Sequence, residues 1–353
     1  MGYVGALVLA IGAGLGGLAN WARTGRGNVM LATLTASLAL LLWRHAQYVH
    51  SPFDPYVFNP KVRVDFRAKS PAVEQVRTLL KEPSRPAGLG YNLFSGFHQM
   101  LGWEGIYGVD ALRNGYFDEL AIAGGAKKIR WWDSGTWSEN DITGLQPIQD
   151  LFNVRYYLAD HSIAPREIPG LKWLGSHDLD VYESPSAWPR AFFTDRLSSY
   201  SSLGDFVQQV QTDRKPFAAV AAADLRAVDL RLPASQSGRT IVPAFNYELT
   251  TNRTEFTVDA PGPGVIVLTE GYYPKDFEVT IDGEPATYFR VNHAFKAVSV
   301  AIGGRHHVVF TYRPHRLSLA LGLWGLGFGL AAVMAAALIL AHRKSLLVAA
   351  FAE

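Results

Sequence analysis

The side chains with the greatest chemical potential are densest in one short segment, residues 102–119, with the sequence GWEGIYGVDALRNGYFDE. The candidate ligand-binding residues in it are Trp103, Glu104, Asp110, Arg113 and Tyr116. The rings of Trp103 and Tyr116 offer flat apolar faces on which a sugar can stack. A carboxylate such as Glu104 or Asp110 can accept a hydroxyl proton, and a guanidinium such as Arg113 can pair with phosphate. The segment therefore predicts a site for a sugar, a phosphate or both.

The same segment also fits a purely structural role. Its aromatic rings would then belong to a core or an interface, and its charges would cap the helix that follows at about residues 114–122. Neither interpretation assigns a catalytic residue, so the catalytic residues stay unknown.

The histidines raise the question of a metal site. His306 and His307 are adjacent on a predicted strand, where neighbouring side chains point to opposite faces and cannot easily share one ion. The chain has no cysteine, which excludes thiolate metal sites, disulfides and a cysteine nucleophile. We expect no metal centre and no other cofactor, although carboxylates leave binding of a divalent ion open.

Charge and motifs exclude several classes of protein. The 353 residues carry a formal net charge of +2 and no block of like charges, so nucleic acid is not an expected partner. The sequence contains no G-x-S-x-G elbow, no phosphate-binding loop and no H-E-x-x-H pattern. The hydrolase, nucleoside triphosphatase and zinc-protease classes have no support from these motifs.

Three apolar stretches predict transmembrane helices, at residues 3–20, 29–43 and 317–341. Arg23 and Arg26 lie between the first two, and His342, Arg343 and Lys344 follow the third. Basic residues favour the cytoplasmic side. We therefore expect residues 1–48 to form two membrane helices with a short cytoplasmic loop, and residues 315–353 to form a third helix with a cytoplasmic tail. Everything between them is predicted to lie outside the cytoplasm.

The region between the membrane helices divides into two parts by pattern. Residues 49–195 predict an extracytoplasmic α/β region, with a helix over 72–81 that begins at the N-cap Ser70 and strands over 150–158 and 179–182. Residues 196–314 predict a linker and an antiparallel β-sandwich, because six short strands follow one another from residue 254 to residue 312. Asp282 and Gly283 between two of them are typical of a type I′ hairpin turn. The fold class expected is a membrane-anchored α+β protein.

Residues 270–314 resemble the C-terminal extracytoplasmic module of the YfhO-type family of bacterial polytopic membrane proteins. The matching residues are Tyr273, Pro274, Phe277, Ile281, Asp282, Gly283, Arg290, Val291, Asn292, Phe295, Gly304, His306, Val308, Phe310, Tyr312 and Pro314. Upstream, residues 108–120, 151–159 and 181–193 are also similar to landmarks of that family. The resemblance thus covers most of the chain.

The resemblance implies a GT-C-like glycosyltransferase of the cell envelope that uses a sugar carried on a polyprenyl phosphate. GT-C enzymes place their catalytic acid or base in the first outer loop, after the first of about a dozen helices, and this sequence matches only the later part of that arrangement. The implied partners are the lipid bilayer, a polyprenyl-phosphate sugar, an envelope glycan and a separate catalytic membrane subunit. The implied location is the bacterial plasma membrane, with several membrane passes. A non-catalytic, membrane-anchored scaffold that binds glycans or partner proteins is the alternative.

Overall fold

The computed structural model describes residues 69–90, 92–93, 98, 101–106, 114–126, 139–161, 167–225 and 239–350. The two N-terminal apolar stretches, the loop between them and the candidate residues Asp110 and Arg113 lie outside this range.

The described residues form five helices and sixteen strands. The helices are α1 (Pro71–Leu79), α2 (Gly115–Ala123), α3 (Glu139–Leu151), α4 (Leu203–Asp213) and α5 (Leu317–Ala350). The strands are β1 (Arg85–Gly88), β2 (Val154–Asp160), β3 (Lys172–Ser176), β4 (Leu179–Glu183), β5 (Ala191–Thr194), β6 (Leu197–Tyr200), β7 (Ala218–Ala221), β8 (Ile241–Pro243), β9 (Phe245–Leu249), β10 (Arg253–Ala260), β11 (Gly264–Gly271), β12 (Phe277–Ile281), β13 (Glu284–Ala286), β14 (Tyr288–Val291), β15 (Phe295–Val300) and β16 (Gly304–Tyr312).

Two five-stranded antiparallel sheets form a β-sandwich. Their strand orders are β13-β12-β16-β10-β9 and β14-β15-β11-β5-β8. Their facing sides bury one cluster of apolar side chains that includes Phe193, Phe256, Ile266 and Val308. Along β10 every second residue is buried, at Thr254, Phe256, Val258 and Ala260, which is the alternation expected of a strand with one face in the core. The six strands predicted from residue 254 onward are all present, so the sandwich is confirmed.

The predicted hairpin turn at Asp282 and Gly283 is also confirmed. Their φ angles are 55° and 88°, the left-handed values that a type I′ turn needs at both central positions. The turn joins β12 to β13, with Ile281 paired to Glu284.

Helices cover the outer side of the second sheet. Phe117 of α2, Phe152 after α3 and Phe295 of β15 pack ring against ring, with centroid distances of 4.9 to 5.8 Å. Aromatic contacts of this kind bury large apolar areas. The second sheet is therefore buried on both faces, against the first sheet and against the helices.

A separate four-stranded sheet has the order β1-β2-β4-β3 and is covered by α1. Helix α1 begins as predicted, with the Ser70 side chain accepting a hydrogen bond from the Val73 N–H and Pro71 in the first turn. Val73 and Val76 are buried in the same cluster as Tyr156 of β2. This sheet and the sandwich are linked through Arg85 of β1, as described below.

The strand predicted over residues 150–158 is partly wrong. Residues 150–151 end helix α3, and β2 begins only at Val154. Leu145, Ile148 and Leu151 are buried at a spacing of three, so the helical period continues further than the strand-like letters suggest. Asn153, with φ 63°, then separates the two elements.

One helix in the described range is long and apolar enough to cross a membrane, over Leu317–Met334 of α5. None of that window is buried, and large side chains such as Leu319, Trp324 and Phe328 are more than half exposed. An apolar surface of this size needs an apolar neighbour, either lipid or protein.

A test of the sandwich core uses two nearby glycines. A Cβ at Gly264 would lie 2.4 Å from the Phe193 ring and 2.5 Å from the Thr194 carbonyl oxygen. Gly264→Ala should lower the free energy of unfolding by about 2 kcal/mol, because the neighbours must move. Urea unfolding in mild detergent measures this change. The matched control is Gly262→Ala, whose Cβ would have nothing within 4 Å. Equal effects of both variants would contradict the packing described here.

Candidate ligand-binding site

Three buried cations and one partly buried carboxylate meet at one end of the sandwich, where it adjoins the four-stranded sheet. Arg85 is on β1, Arg190 precedes β5, Glu270 is near the end of β11, and Lys296 is on β15. The register brings them together, since Leu268 of β11 pairs with Ala191 on one side and Lys296 on the other, and Glu270 is two residues further along β11. Arg85, Arg190 and Lys296 are each less than 10% exposed. We call these four residues and Glu104 the charge cluster.

Arg190 is the centre of the cluster. Its Nη2 lies 2.7 Å from Glu270 Oε1 and also contacts Glu104 Oε2. Its carbonyl oxygen accepts hydrogen bonds from the Thr269 N–H at 2.9 Å and the Thr269 hydroxyl at 3.0 Å. The backbone carbonyl of Arg190 is therefore held by strand β11. Two carboxylates share one guanidinium nitrogen.

Glu270 is ionised in spite of its burial. Lys296 Nζ lies 3.1 Å from Glu270 Oε2, and the Thr254 hydroxyl donates to Oε1 at 2.9 Å. Burial alone would raise the pKa of Glu270, but the charges of Arg190 and Lys296 outweigh it and hold the pKa well below its usual value. The carboxylate is thus a fixed negative charge and a poor proton acceptor.

Lys296 projects between the two sheets. Its ammonium lies 3.4 Å from the centroid of the Phe277 ring, on the opposite sheet, and 5.3 Å from that of Phe310. Burial lowers the pKa of Lys296, while the charge of Glu270 opposes that shift. The aromatic faces and the carboxylate together hold a cation in an otherwise apolar interior.

Arg85 connects the four-stranded sheet to this end of the sandwich. Its Nη1 donates to the carbonyl oxygens of Phe152 at 2.6 Å and Thr269 at 3.0 Å. Burial, followed by repulsion from Arg190, lowers the pKa of Arg85 to about 9. The nearest carboxylate oxygen to its Nε is that of Glu104, at 4.0 Å. Arg85 is therefore the least well neutralised cation in the cluster.

Two cavities open on either side of the Glu104–Arg190 pair. The larger, about 780 Å³, is also lined by Lys81, Glu82, Trp103, Phe245, Asn246 and Tyr247. The smaller, about 350 Å³, is also lined by Arg253, Glu270, Tyr273, Phe277, Lys296 and Tyr312. Both volumes are in the range of small-molecule sites. Glu104 and Arg190 line both cavities, so a ligand in either cavity would contact the charge cluster at these two residues.

Of the five residues predicted from the sequence, the structure places two at these cavities. Glu104 is half-exposed and belongs to the cluster. Trp103 lines the larger cavity but is only 8% exposed and packs with Val73 and Tyr156, which favours the structural role for its ring. Asp110 and Arg113 lie outside the described residues.

Tyr116 lines neither cavity. The Arg290 guanidinium stacks on its ring at 4.4 Å and pairs with Asp224 at 2.7 Å. His293 meets the same ring edge-on at 5.7 Å. Tyr116 therefore anchors a second polar group, and the prediction that it shares a site with Glu104 has no contact to support it.

Sequence reasoning missed Arg85, Arg190, Glu270 and Lys296. A signal was present, because Glu270 and Lys296 are single charges in the apolar strands VIVLTEG and FKAVSV. Charges are rarely buried unless they are paired or functional. No spacing rule, however, joins residues that are so far apart in the chain.

The cluster favours anion binding over metal binding. Within the ranges that the structure covers, no group of three or more His, Asp or Glu side chains is placed to hold an ion. His306 is buried against Asp282 at 2.8 Å, whereas His307 is exposed. Arg190 and Lys296, which line the cavities, instead offer N–H donors beside open space.

The charge pairing predicts a pH-dependent loss of stability. Glu270→Gln should lower the free energy of unfolding at pH 7 by about 3–5 kcal/mol, because it leaves the buried Lys296 without its carboxylate and Arg190 with Glu104 alone. The folded-state pKa lies below the unfolded value of 4.5, so the wild-type advantage exists above about pH 4.5 and decreases as the pH falls below it. Urea unfolding from pH 7 to pH 3 measures both effects.

The control for this experiment is Glu278→Gln. Glu278 forms an exposed pair with Arg313 at 3.1 Å, and its loss should change stability by less than about 1 kcal/mol. If Glu270→Gln were as mild as the control, or if its effect were the same at pH 7 and pH 3, the described pairing would be wrong.

Comparison with known proteins adds no assignment for this site. No protein-family model, no curated protein and no solved structure matches the chain. The function is therefore argued from the geometry of the cluster and its two cavities.

Proposed function

We propose that this chain is the glycan-recognition part of a membrane-anchored, cell-envelope glycosylation protein, and that the larger cavity holds the glycan. The YfhO-type resemblance supports this proposal from the sequence. In that family the transfer chemistry, with its polyprenyl-phosphate sugar donor, belongs to the N-terminal membrane half, for which this sequence offers no match. The chain would then act together with that catalytic membrane half.

The observation that carries the proposal is the cavity of about 780 Å³ beside the Glu104–Arg190 pair. Its lining combines the aromatic rings of Phe245 and Tyr247 with the exposed polar side chains of Lys81, Glu82 and Asn246. Sugars present both apolar faces and hydroxyl groups, and a lining of this mixed character suits them. The room available exceeds that of a single small ion.

The state of the carboxylates supports recognition rather than catalysis. A glycosyl transfer needs a carboxylate that can take a proton from the acceptor. Glu270 has a strongly lowered pKa, and Glu104 is paired with Arg190. Glu270 is therefore not placed to act as a general base. The same observation favours the alternative function, a non-catalytic scaffold that binds envelope glycans without any catalytic subunit.

Helix α5 supports the membrane anchor. Its 34 residues extend about 51 Å, and its first half is apolar and exposed. His342, Arg343 and Lys344 near its C-terminal end fit the cytoplasmic side, so the β-sandwich that precedes it would lie outside. With the stretches at residues 3–20 and 29–43 as two further spans, the chain would be a multi-pass protein of the bacterial plasma membrane.

Binding can be tested on the rim of the larger cavity. The double variant Lys81→Ala/Glu82→Ala removes two exposed polar side chains and should weaken disaccharide binding by about 10-fold, through lost hydrogen bonds. Isothermal titration of the detergent-solubilised chain with a panel of disaccharides gives the Kd values. The matched control is Lys172→Ala/Glu284→Ala, which removes one exposed charge of each sign from strands that line neither cavity. Absence of saturable binding by the wild-type chain would contradict the proposal.

Topology is tested independently of binding. A reporter enzyme inserted at Gly283, in the exposed turn between β12 and β13, should report the extracytoplasmic side, and one fused after Glu353 should report the cytoplasm. The chain should also remain in the membrane fraction after alkaline extraction. A cytoplasmic signal from Gly283 would overturn the orientation, and release into the soluble fraction would overturn the anchor.

A further inference from the structure

We infer that the glycan bound at this site carries a carboxylate, as a uronic acid does. In the unliganded protein the carboxylate of Glu104 occupies the position at Arg190 that the ligand carboxylate would take, and the ligand displaces it. This inference rests on the proposed glycan recognition and adds the chemical class of the ligand. It follows from the charge balance of the cluster, the exposure of Glu104 and the geometry around Arg190.

The charge balance leaves the cluster positive. Among the described residues, the cations Arg85, Arg190 and Lys296 face the carboxylates Glu104 and Glu270. Three positive charges against two negative charges leave an excess of one, in a site where the cations are almost fully buried. Removal of the Glu104 carboxylate from the cluster would raise that excess to two. A buried excess of positive charge favours an incoming anion.

The two carboxylates differ in how firmly they are held. The side chain of Glu270 is 16% exposed and has three side-chain partners, in Arg190, Lys296 and Thr254. The side chain of Glu104 is 46% exposed, contacts Arg190 and reaches Arg85 only at 4.0 Å. Glu104 also comes from a loop, whereas Glu270 comes from the central strand β11. Glu104 is therefore the carboxylate that can leave without unfolding its surroundings.

Arg190 retains an unused donor at this position. Its Nε is buried and has no hydrogen-bond partner among the residues that the structure describes. A buried unsatisfied N–H of a charged group costs more than about 1 kcal/mol, and a ligand that satisfies it gains that energy. A carboxylate can accept two parallel hydrogen bonds from one guanidinium. A ligand carboxylate could thus use Nε together with the Nη2 that Glu104 vacates.

The structure itself favours a carboxylate over a phosphate. Glu104 demonstrates that a carboxylate fits at Arg190 Nη2 while Glu270 occupies the same nitrogen from another direction. The sugar ring attached to the carboxylate would extend into the larger cavity, toward Tyr247 and Asn246.

The test is a titration of the full chain in detergent with four small probes: glucuronic acid, glucose, glucose 6-phosphate and acetate. Wild type should bind glucuronic acid at least about 10-fold more tightly than glucose, because charge-assisted hydrogen bonds are stronger than neutral ones. Glu104→Gln keeps the shape of the side chain and removes the competing charge. It should bind glucuronic acid about 10-fold more tightly than wild type, with a larger gain for glucuronic acid than for glucose. Glu278→Gln is the control, since it removes the same net charge from a surface position outside both cavities.

The other outcomes overturn the inference in distinguishable ways. If glucuronic acid and glucose bind with equal affinity, and Glu104→Gln binds neither more tightly, the inference of a carboxylate-bearing ligand is wrong, whereas the proposed glycan recognition is not contradicted. Weaker binding of both sugars to Glu104→Gln makes Glu104 a direct contact to sugar hydroxyls. If glucose 6-phosphate binds more tightly than glucuronic acid, the site is specific for phosphate. If acetate binds as tightly as glucuronic acid, the sugar ring contributes nothing to binding. No binding of any probe overturns the proposed function together with the inference.

Discussion

Three cations, Arg85, Arg190 and Lys296, are buried where the four-stranded sheet meets the β-sandwich, and their pairing is the constraint on which this end of the molecule depends. A buried charge without a partner costs several kcal/mol, so Glu270 must be ionised and in place for the three to be tolerated. Replacement of such a cluster by apolar side chains is often neutral or stabilising in other proteins. Stability alone therefore does not explain why the chain keeps these charges beside two open cavities.

The parts of the fold that could be predicted from the sequence are those with local causes. The Ser70 cap, the Asp282-Gly283 turn and the alternating residues of β10 each act within a few positions, and each is present in the structure. The boundary between α3 and β2 could not be predicted, because residues 150–158 are apolar enough for either element. Only the packing of Ile148 and Leu151 against the core decides between them.

The candidate site was predictable only in part, for a physical reason. Glu104 was found because it lies in a segment rich in aromatic and charged residues. Arg85, Arg190, Glu270 and Lys296 come from four different strands or strand ends, and the sheet register alone makes them neighbours. Trp103 and Tyr116 resembled sugar platforms by residue type, but the first packs in a core and the second holds Arg290. Residue type predicted the kind of chemistry better than the location.

The chain combines an exposed apolar helix after the sandwich with a cationic cleft at the sandwich end. A membrane anchor would keep such a cleft near the envelope polymers that surround a bacterial cell, and a preformed positive site would select the acidic ones among them. In this arrangement Glu104 would lower the affinity for every anion, because each would have to displace it from Arg190.

The most direct measurement is a crystal structure of the full chain with glucuronic acid bound. The account predicts the sugar carboxylate within about 3 Å of Arg190 Nη2 and Nε, with the Glu104 side chain turned toward solvent and the Glu270 pairs unchanged. A sugar bound elsewhere, with Glu104 still paired to Arg190, would contradict it.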